Sequence, residues 1–298
     1  MTSEHIDGAS RHTLDTGELV PSRVLLDAAR AAGHAVAALN FYNAETLRAH
    51  VDAARAADRP IILQTTESTI TYLGIDVAVG LARAAAHELG GRVALHLDHG
   101  RNAELALRCI DAGYTSVMID GSKLPFAENS ALTRRVVEMA HAAGVTVEGE
   151  LGFVAHNDDA GSGGTFTESD AAARFVAETG VDALAVAVGT AHGFYRGEVR
   201  IDFERIERIR DAIPQTALVL HGGSGVPDAM LVRAVASGIA KINFGTEIKD
   251  AFIRAVRTAV TSTDDIDLRR VFAPAVAAVR DVSAAKIRLC SGQAEGSA

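Results

Sequence analysis

VALHLDHGRNAELALRCIDAGYTSVMID, residues 93–120, contains one complete unit of the pattern that organises this chain. It opens on a β-rich run, VALHLD (93–98), passes through an Ala- and Leu-rich stretch at helical spacing, stops at Gly113 and enters a second run, TSVMID (115–120). Near-continuous apolar runs read as parallel strands buried on both faces. A glycine directly after a helical stretch reads as its left-handed cap. Working outward, the unit recurs. The further runs are AVAALN (35–40), IILQT (61–65), VTVEGE (145–150), ALAVAV (183–188), ALVLHG (217–222) and AKINFG (240–245). Between the runs lie helices such as AETLRAHVDAARAA (44–57) and SALTRRVVEMAHAAG (130–144), and Gly33, Gly90, Gly144, Gly180 and Gly238 close others. Eight βα units in about 240 residues predict a TIM (β/α)8 barrel, with a doubly wound open sheet as the alternative.

Two stretches depart from the pattern. Residues 151–169, LGFVAHNDDAGSGGTFTES, form a long polar, glycine-rich loop, and such loops inside compact domains are usually functional or mobile. Residues 262–298 follow the eighth unit and add an extra C-terminal helical segment, LRRVFAPAVAAVRDVSAAKI, with Pro274 expected to break or start it. The reading is one domain over 1–298, with an N-terminal extension at 1–20 and a disordered tail at 291–298.

Composition narrows the function. The 298 residues carry 29 basic and 38 acidic side chains, a net charge of −9, which argues against nucleic acid as a partner. There is no Trp and aromatics make up 5%, so a base-stacking platform is not expected. The longest purely apolar run, 183–188, is far short of the roughly 20 residues that span a bilayer. The N-terminus has no apolar core of the secretory kind. Cys109 and Cys290 read as a buried apolar thiol and a tail thiol, consistent with a reducing cytoplasm.

In a barrel of this kind the active site lies at the C-terminal strand ends. Here those ends read Asn40, Thr65–Thr66, Asp98–His99, Asp120, Glu150, Gly189–His192, His221 and Asn243. Of eleven histidines, His5, His12, His34, His50, His87 and His141 are expected as surface or half-buried residues rather than ligands, and His96 inside a strand as a hydrogen-bonded core residue. His99, His192 and His221 end three different strands, and three converging imidazoles suit a catalytic metal with an open position. Their spacings of 93 and 29 residues match no short zinc motif, so that reading depends on the barrel. Asp98 could move a proton beside a metal-polarised substrate or hydrogen-bond a ligand imidazole; position alone leaves both open. Asp120 and Glu150 could complete the metal site or pair across the barrel mouth. HGGSG (221–225) and NFGTE (243–247) follow the seventh and eighth strands, where barrels often seat a phosphate on free amides and a helix N-terminus. There are four lysines, Lys123, Lys241, Lys249 and Lys286. Only Lys241 falls on a strand, at its beginning, which disfavours Schiff-base chemistry.

Six ordered motifs carry a family likeness: HLDH (96–99), SVMID (116–120), VEGELG (147–152), AVGTAHGFY (187–195), LHGGSG (220–225) and KINFGTE (241–247). From about residue 22 to 290 the chain resembles the class II, zinc-dependent ketose-bisphosphate aldolases, the fructose- and tagatose-bisphosphate type. The resemblance implies a zinc lyase of carbohydrate metabolism, such as glycolysis. It would cleave a ketose 1,6-bisphosphate to dihydroxyacetone phosphate and glyceraldehyde 3-phosphate through a zinc-stabilised enediolate. It implies His99, His192 and His221 as zinc ligands and Asp98 as the proton donor. Asp120 and Glu150 match carboxylates for a second or displaced metal, and a monovalent cation is also left open. Asn243 would hold the enediolate, and Asn40, Thr66, Gly193, Gly222, Gly223, Ser224, Phe244, Gly245 and Thr246 match substrate and phosphate contacts. The chain departs from the family in FVAHNDDAG (153–161), where relatives carry a glutamate-containing segment; Asp158, Asp159 or His156 would take over proton exchange. Arg280 stands as the distal-phosphate partner, which in relatives comes from a neighbouring subunit of a dimer or tetramer. Other adducts of dihydroxyacetone-phosphate type, such as a phosphorylated deoxy-keto acid, and a non-catalytic sugar-phosphate binder remain as alternatives.

Overall fold

The eight β-rich runs become eight strands in a computed structural model that describes residues 17–154, 165–195 and 197–292. They are β1 (Val36–Asn40), β2 (Ile61–Thr66), β3 (Val93–Gly100), β4 (Ser116–Ile119), β5 (Thr146–Leu151), β6 (Ala183–Val186), β7 (Ala217–Leu220) and β8 (Ile239–Phe244). All neighbours pair in parallel, and β8 returns to β1 to close the barrel, which excludes the open sheet. Period-two alternation assigns the faces. Leu39, Leu63, Leu95, Val117, Val147, Leu184, Leu218 and Ile242 point outward into the apolar layer beneath the helices. Low in the interior most inward residues are alanines, Ala38, Ala94, Ala183, Ala185, Ala217 and Ala240, with Val36, Ile62 and Val219 among them. Into that layer the first helix, α1 (Ser22–Ala31), packs Leu25 and Leu26. The chain entering it is tied to the start of β3 by Val20 N–H donating to the Val93 carbonyl at 2.9 Å.

Two irregularities interrupt the alternation. The β3–β4 register shifts between Leu97 and Gly100, with His99 at φ 51. The β7–β8 register shifts between Leu218 and Val219, so Ile239 packs outward while Ala240 packs with the interior.

Local chemistry sets the helix ends. In α2 (Ala44–Ala57), Asn43 accepts from the Thr46 amide in a reciprocal capping box. The helix Ala103–Ala112, α5 in chain order, stops at Gly113, whose φ of 109 a side chain would resist. The C-terminal helix corrects two expectations. It runs from Leu268 to Cys290 (α11) straight through Pro274, which therefore neither breaks nor starts it. Proline withholds only one amide and its ring displaces one carbonyl contact, and packing of the flanking Val271, Ala275 and Val279 compensates. Cys290 closes that helix as a buried residue, so it is no tail thiol. No single helix among the described residues is long and apolar enough to cross a membrane.

His50 is a third correction: it is fully buried, neither at the surface nor half-buried. Its Nε2–H donates to the Asn40 carbonyl at 3.1 Å, and Nδ1 lies 2.8 Å from Ser283 Oγ on α11. Burial lowers its pKa to about 4 despite the bond to Asn40. A folded-state value below the unfolded one means stability is present above pH 6.5 and is lost as pH falls towards 4, by about 3 kcal/mol in total. His50→Gln is therefore expected to lose less stability than the parent between about pH 7.5 and about pH 4.5 in denaturant titrations. Equal losses in both proteins would refute the neutral buried imidazole.

Candidate active site

The C-terminal strand ends surround a cleft of about 1190 Å³. Asn40, Thr66, Asp98, His99, Asp120, Glu150, His192 and Asn243 all line it, so the structure brings most of the sequence-predicted residues together. The bulge in β3 accounts for one of them. Ala94, His96 and Asp98 share the inner face by alternation, which would send His99 outward. The left-handed turn at His99 brings its side chain inward as well. Gly100 follows because a Cβ there would meet the Met118 carbonyl at 2.4 Å.

The three imidazoles cluster. Ring centroids lie 4.7 Å apart for His99 and His221, 4.9 Å for His99 and His192, and 5.8 Å for His192 and His221. One nitrogen of each of two rings is committed: His99 Nδ1 to Asp120 Oδ2 at 2.8 Å, and His221 Nε2 to Glu148 Oε1 at 2.8 Å. Both carboxylates are acceptors, so both ring nitrogens donate. The opposite nitrogens, His99 Nε2 and His221 Nδ1, then face each other at 3.1 Å. Two lone pairs at that distance call for a positive charge between them, a proton or a metal ion. Among the described residues two groups could hold a metal, His99 with His192 and His221, and His99 with Asp120 and Glu150; each has its ligand atoms within 4.8 Å of one another.

The surrounding charge agrees. Burial disfavours the His99 imidazolium, but Asp98, Asp120 and Glu150 outweigh it and raise its pKa to about 9. Burial lifts Glu150 to about 6, with the Asp120 charge adding to the rise and His221 and His99 opposing it. Its Oε2 is buried without a hydrogen-bond partner, a donor atom available to a cation. Asp120 and Glu148 go the other way: burial opposes ionisation, but His99 holds the first carboxyl low and Lys241 with His221 holds the second low.

Asp98 Oδ1 lies 3.9 Å from His99 Nε2. Asn40 Nδ2 donates to its Oδ2 at 3.0 Å, Gln64 Nε2 reaches the same oxygen at 3.5 Å, and Asn243 Nδ2 donates to Oδ1 at 3.3 Å. Burial works against the charge, yet His99, His221, Lys241 and the Asn40 bond hold the carboxyl at about 2. Asn243 Oδ1 is buried and unpaired, an acceptor available for a hydroxyl in the cleft.

The glycine loops lie along another wall. Gly193, Gly222, Ser224, Gly245 and Thr246 line the cleft, with Thr246 opening helix α10 (Thr246–Ser262). Gly222 has φ 69, and a Cβ would meet the Ala191 carbonyl at 2.3 Å, so the close turn requires glycine. Two predicted contacts fall elsewhere. The Phe244 side chain is buried in the outer apolar layer, because β8 alternation turns it away from Asn243. The Gly223 amide donates to the Asn243 carbonyl at 3.2 Å, which stitches the loop to the barrel. Thr66 lines the cleft while its hydroxyl caps the short helix Glu67–Leu73. Arg280 is on α11, paired with Asp281 at 3.0 Å, and does not line the cleft of its own chain. His156, Asp158 and Asp159 lie outside the described residues.

Several groups beyond the expected site residues support the cluster, and His96 is the hydrogen-bonded core residue that its place inside a strand suggested. The Lys241–Glu148 ion pair and the neutral imidazole of His96, its pKa lowered by burial and by Lys241, form a polar layer inside the barrel beneath the histidines. Gln64 and Tyr42 support and flank Asp98, and burial raises the Tyr42 pKa, with the Asp98 charge adding to it. Arg101, Lys123 and Lys249 bring positive charge to the rim. The signal for Glu148 was available: VEGE sets it two residues before Glu150, on the same face.

Comparison with known proteins points the same way. The family model described as fructose-bisphosphate aldolase class-II matches residues 20–295. A fructose-bisphosphate aldolase from Geobacillus stearothermophilus is 38% identical over 276 residues, covering 91% of this chain and 96% of that protein. The crystal structure of the YdjI aldolase from Escherichia coli K12 superposes with a TM-score of 0.81 at 32% identity, over 94% of this chain and 100% of that one. That of a fructose-bisphosphate aldolase from Campylobacter jejuni does so at 0.76 and 22% identity, over 92% and 95% of the two chains, a likeness of fold.

Proposed function

Because the chain belongs to the class-II fructose-bisphosphate aldolase family, and is thus an aldolase lyase, we propose that it cleaves a ketose 1,6-bisphosphate, fructose or tagatose, to dihydroxyacetone phosphate and glyceraldehyde 3-phosphate. The observation that carries the metal assignment is the pair of facing nitrogens, His99 Nε2 and His221 Nδ1, 3.1 Å apart beside His192. Glu150 Oε2, which has no hydrogen-bond partner and lies 3.6 Å from His221 Nδ1, and the excess of carboxylates over cations around them fit a divalent cation. In this reading His99, His192 and His221 hold zinc, and Asp120 and Glu150 offer an alternate or second position. Zinc there supplies Lewis-acid polarisation of the substrate's ketone and hydroxyl oxygens.

The chain's own residues do the rest. Asp98, kept ionised by His99, His221, Lys241 and the Asn40 bond and oriented by Asn243, takes the C4 hydroxyl proton as the C3–C4 bond breaks. The O–H electron pair becomes the aldehyde double bond, and the C3–C4 pair passes to the dihydroxyacetone phosphate half. In condensation Asp98 returns the proton to the new alkoxide. Asn243 Oδ1 accepts from a hydroxyl of that half. The amides around Gly193, Gly222, Ser224, Gly245 and Thr246, with the N-terminus of α10, grip its phosphate. Asp158, Asp159 or His156 exchanges the C3 proton with solvent. Arg280 serves the distal phosphate in the cleft of a neighbouring copy, in a cytoplasmic homodimer or tetramer.

The test avoids guessing the aldehyde. Zinc-loaded protein is incubated with dihydroxyacetone phosphate in heavy water, with and without chelator, and the C3 proton signal is followed by NMR. Cleavage of both bisphosphates is assayed in parallel. Chelator-sensitive exchange together with cleavage of either substrate is expected. Zinc and ligand both bound, with no exchange and no C–C cleavage, would reject the reading.

A further inference from the structure

The barrel interior beneath the histidines carries a ladder of hydrogen bonds whose charged members take no part in the chemistry above. Lys241 Nζ lies 2.7 Å from Glu148 Oε2 and 3.2 Å from His96 Nε2. His96 Nδ1 meets Ser116 Oγ at 2.7 Å, and Ser116 Oγ meets Ser22 Oγ of α1 at 2.8 Å. The other oxygen of Glu148 faces His221 Nε2 at 2.8 Å. None of these polar side chains has water to fall back on, because Lys241, Glu148 and His221 are 1%, 2% and 0% exposed. A buried ion pair gives little stability compared with an apolar pair of similar volume. Its retention here has another explanation, in the direction of one bond. Lys241 can only donate, and Glu148 accepts from it on one oxygen. The other oxygen is then an obligate acceptor aimed at His221 Nε2, which forces the imidazole into the Nε2–H form and leaves Nδ1 with a lone pair towards His99.

We propose that Glu148 and Lys241 are positioning residues that lock His221 in the tautomer and ring orientation needed to ligate the metal. The inference rests on the reading of His99, His192 and His221 as its ligands.

Glu148→Gln separates this role from packing because the two side chains have nearly the same shape. A glutamine carries one acceptor and one donor. Beside a buried ammonium it must turn its oxygen to Lys241 and its NH2 group to His221. The NH2 group demands a lone pair on Nε2, so the proton moves to Nδ1 and blocks the metal. In Lys241→Met/Glu148→Gln the glutamine oxygen is released to accept from His221 again. Expected zinc affinities, by competition with a chromogenic chelator, are a loss of roughly 10- to 100-fold in E148Q and recovery of about tenfold in the double variant. The ring-nitrogen NMR shifts of His221 should report the Nδ1–H form in E148Q and the Nε2–H form in the parent and double variant. Unfolding midpoints control for stability. A merely structural pair would move midpoints without reversing the zinc loss.

An E148Q that binds zinc as the parent does, or a folded double variant that recovers no affinity, would overturn the inference alone. A parent chain that takes up no zinc would overturn the ligand assignment first and this inference with it.

Discussion

Asp98→Asn is expected to lower turnover of the ketose bisphosphate by about 100- to 10,000-fold while the protein keeps its zinc. The carboxylate is held in place and ionised: Asn40 and Asn243 each donate to one of its oxygens, and with His99 the largest favourable influence its pKa of about 2 keeps it charged. An asparagine has no basic oxygen of comparable strength. Its NH2 group would also confront either Asn40 or Asn243, both of which offer donors, so some local repacking adds to the loss. His99, His192 and His221 are untouched, which is why metal content separates the two roles considered for this residue. A coupled triose-phosphate assay and zinc analysis on the same preparation decide the matter. Turnover within about tenfold of the parent would move Asp98 out of the chemistry and into support of the ligand shell.

His99→Ala carries the second large effect. It removes one of the two facing nitrogens and leaves Asp120 Oδ2 without its 2.8 Å donor. Loss of the Lewis acid withdraws several kcal/mol of transition-state stabilisation, so activity should fall by at least about 1,000-fold. Added zinc should not restore it. Parent protein stripped with chelator should lose activity to a similar extent and regain it on zinc addition. Both are measured by cleavage rate against zinc concentration. If the variant recovers fully at high zinc, His99 is dispensable and the carboxylates Asp120 and Glu150 hold the ion without it.

Much of this architecture was legible because the signals were local. A run such as ALAVAV has no polar residue to place on a solvated face, so it reads as a strand covered on both sides, and eight β-rich runs, several of them near-continuously apolar, alternating with helices leave little choice of fold. The site was legible where chemistry-bearing residues end strands: Asp98, Glu150, His221 and Asn243 all come to the cleft or its floor. What escaped was set by tertiary contacts. Lys241 looked remote because it starts its strand, whereas in the barrel it lies under the histidines and neutralises Glu148. His50 looked like an ordinary helix residue, and only the packing of α11 across α2 buries it. Phe244 was assigned to substrate by its place in a motif, against the alternation that points it outward.

The bulge at His99 limits how the site can be transferred to another protein. Neighbouring residues on a regular strand face opposite ways, so an Asp-His pair copied onto a straight strand of a different barrel would deliver one member to the mouth and bury the other under a helix. A designer grafting this centre would have to carry over the backbone shift, the left-handed φ of 51 at the histidine and the glycine behind it along with the side chains. The unit to be inherited is a four-residue piece of chain geometry, Leu97 to Gly100.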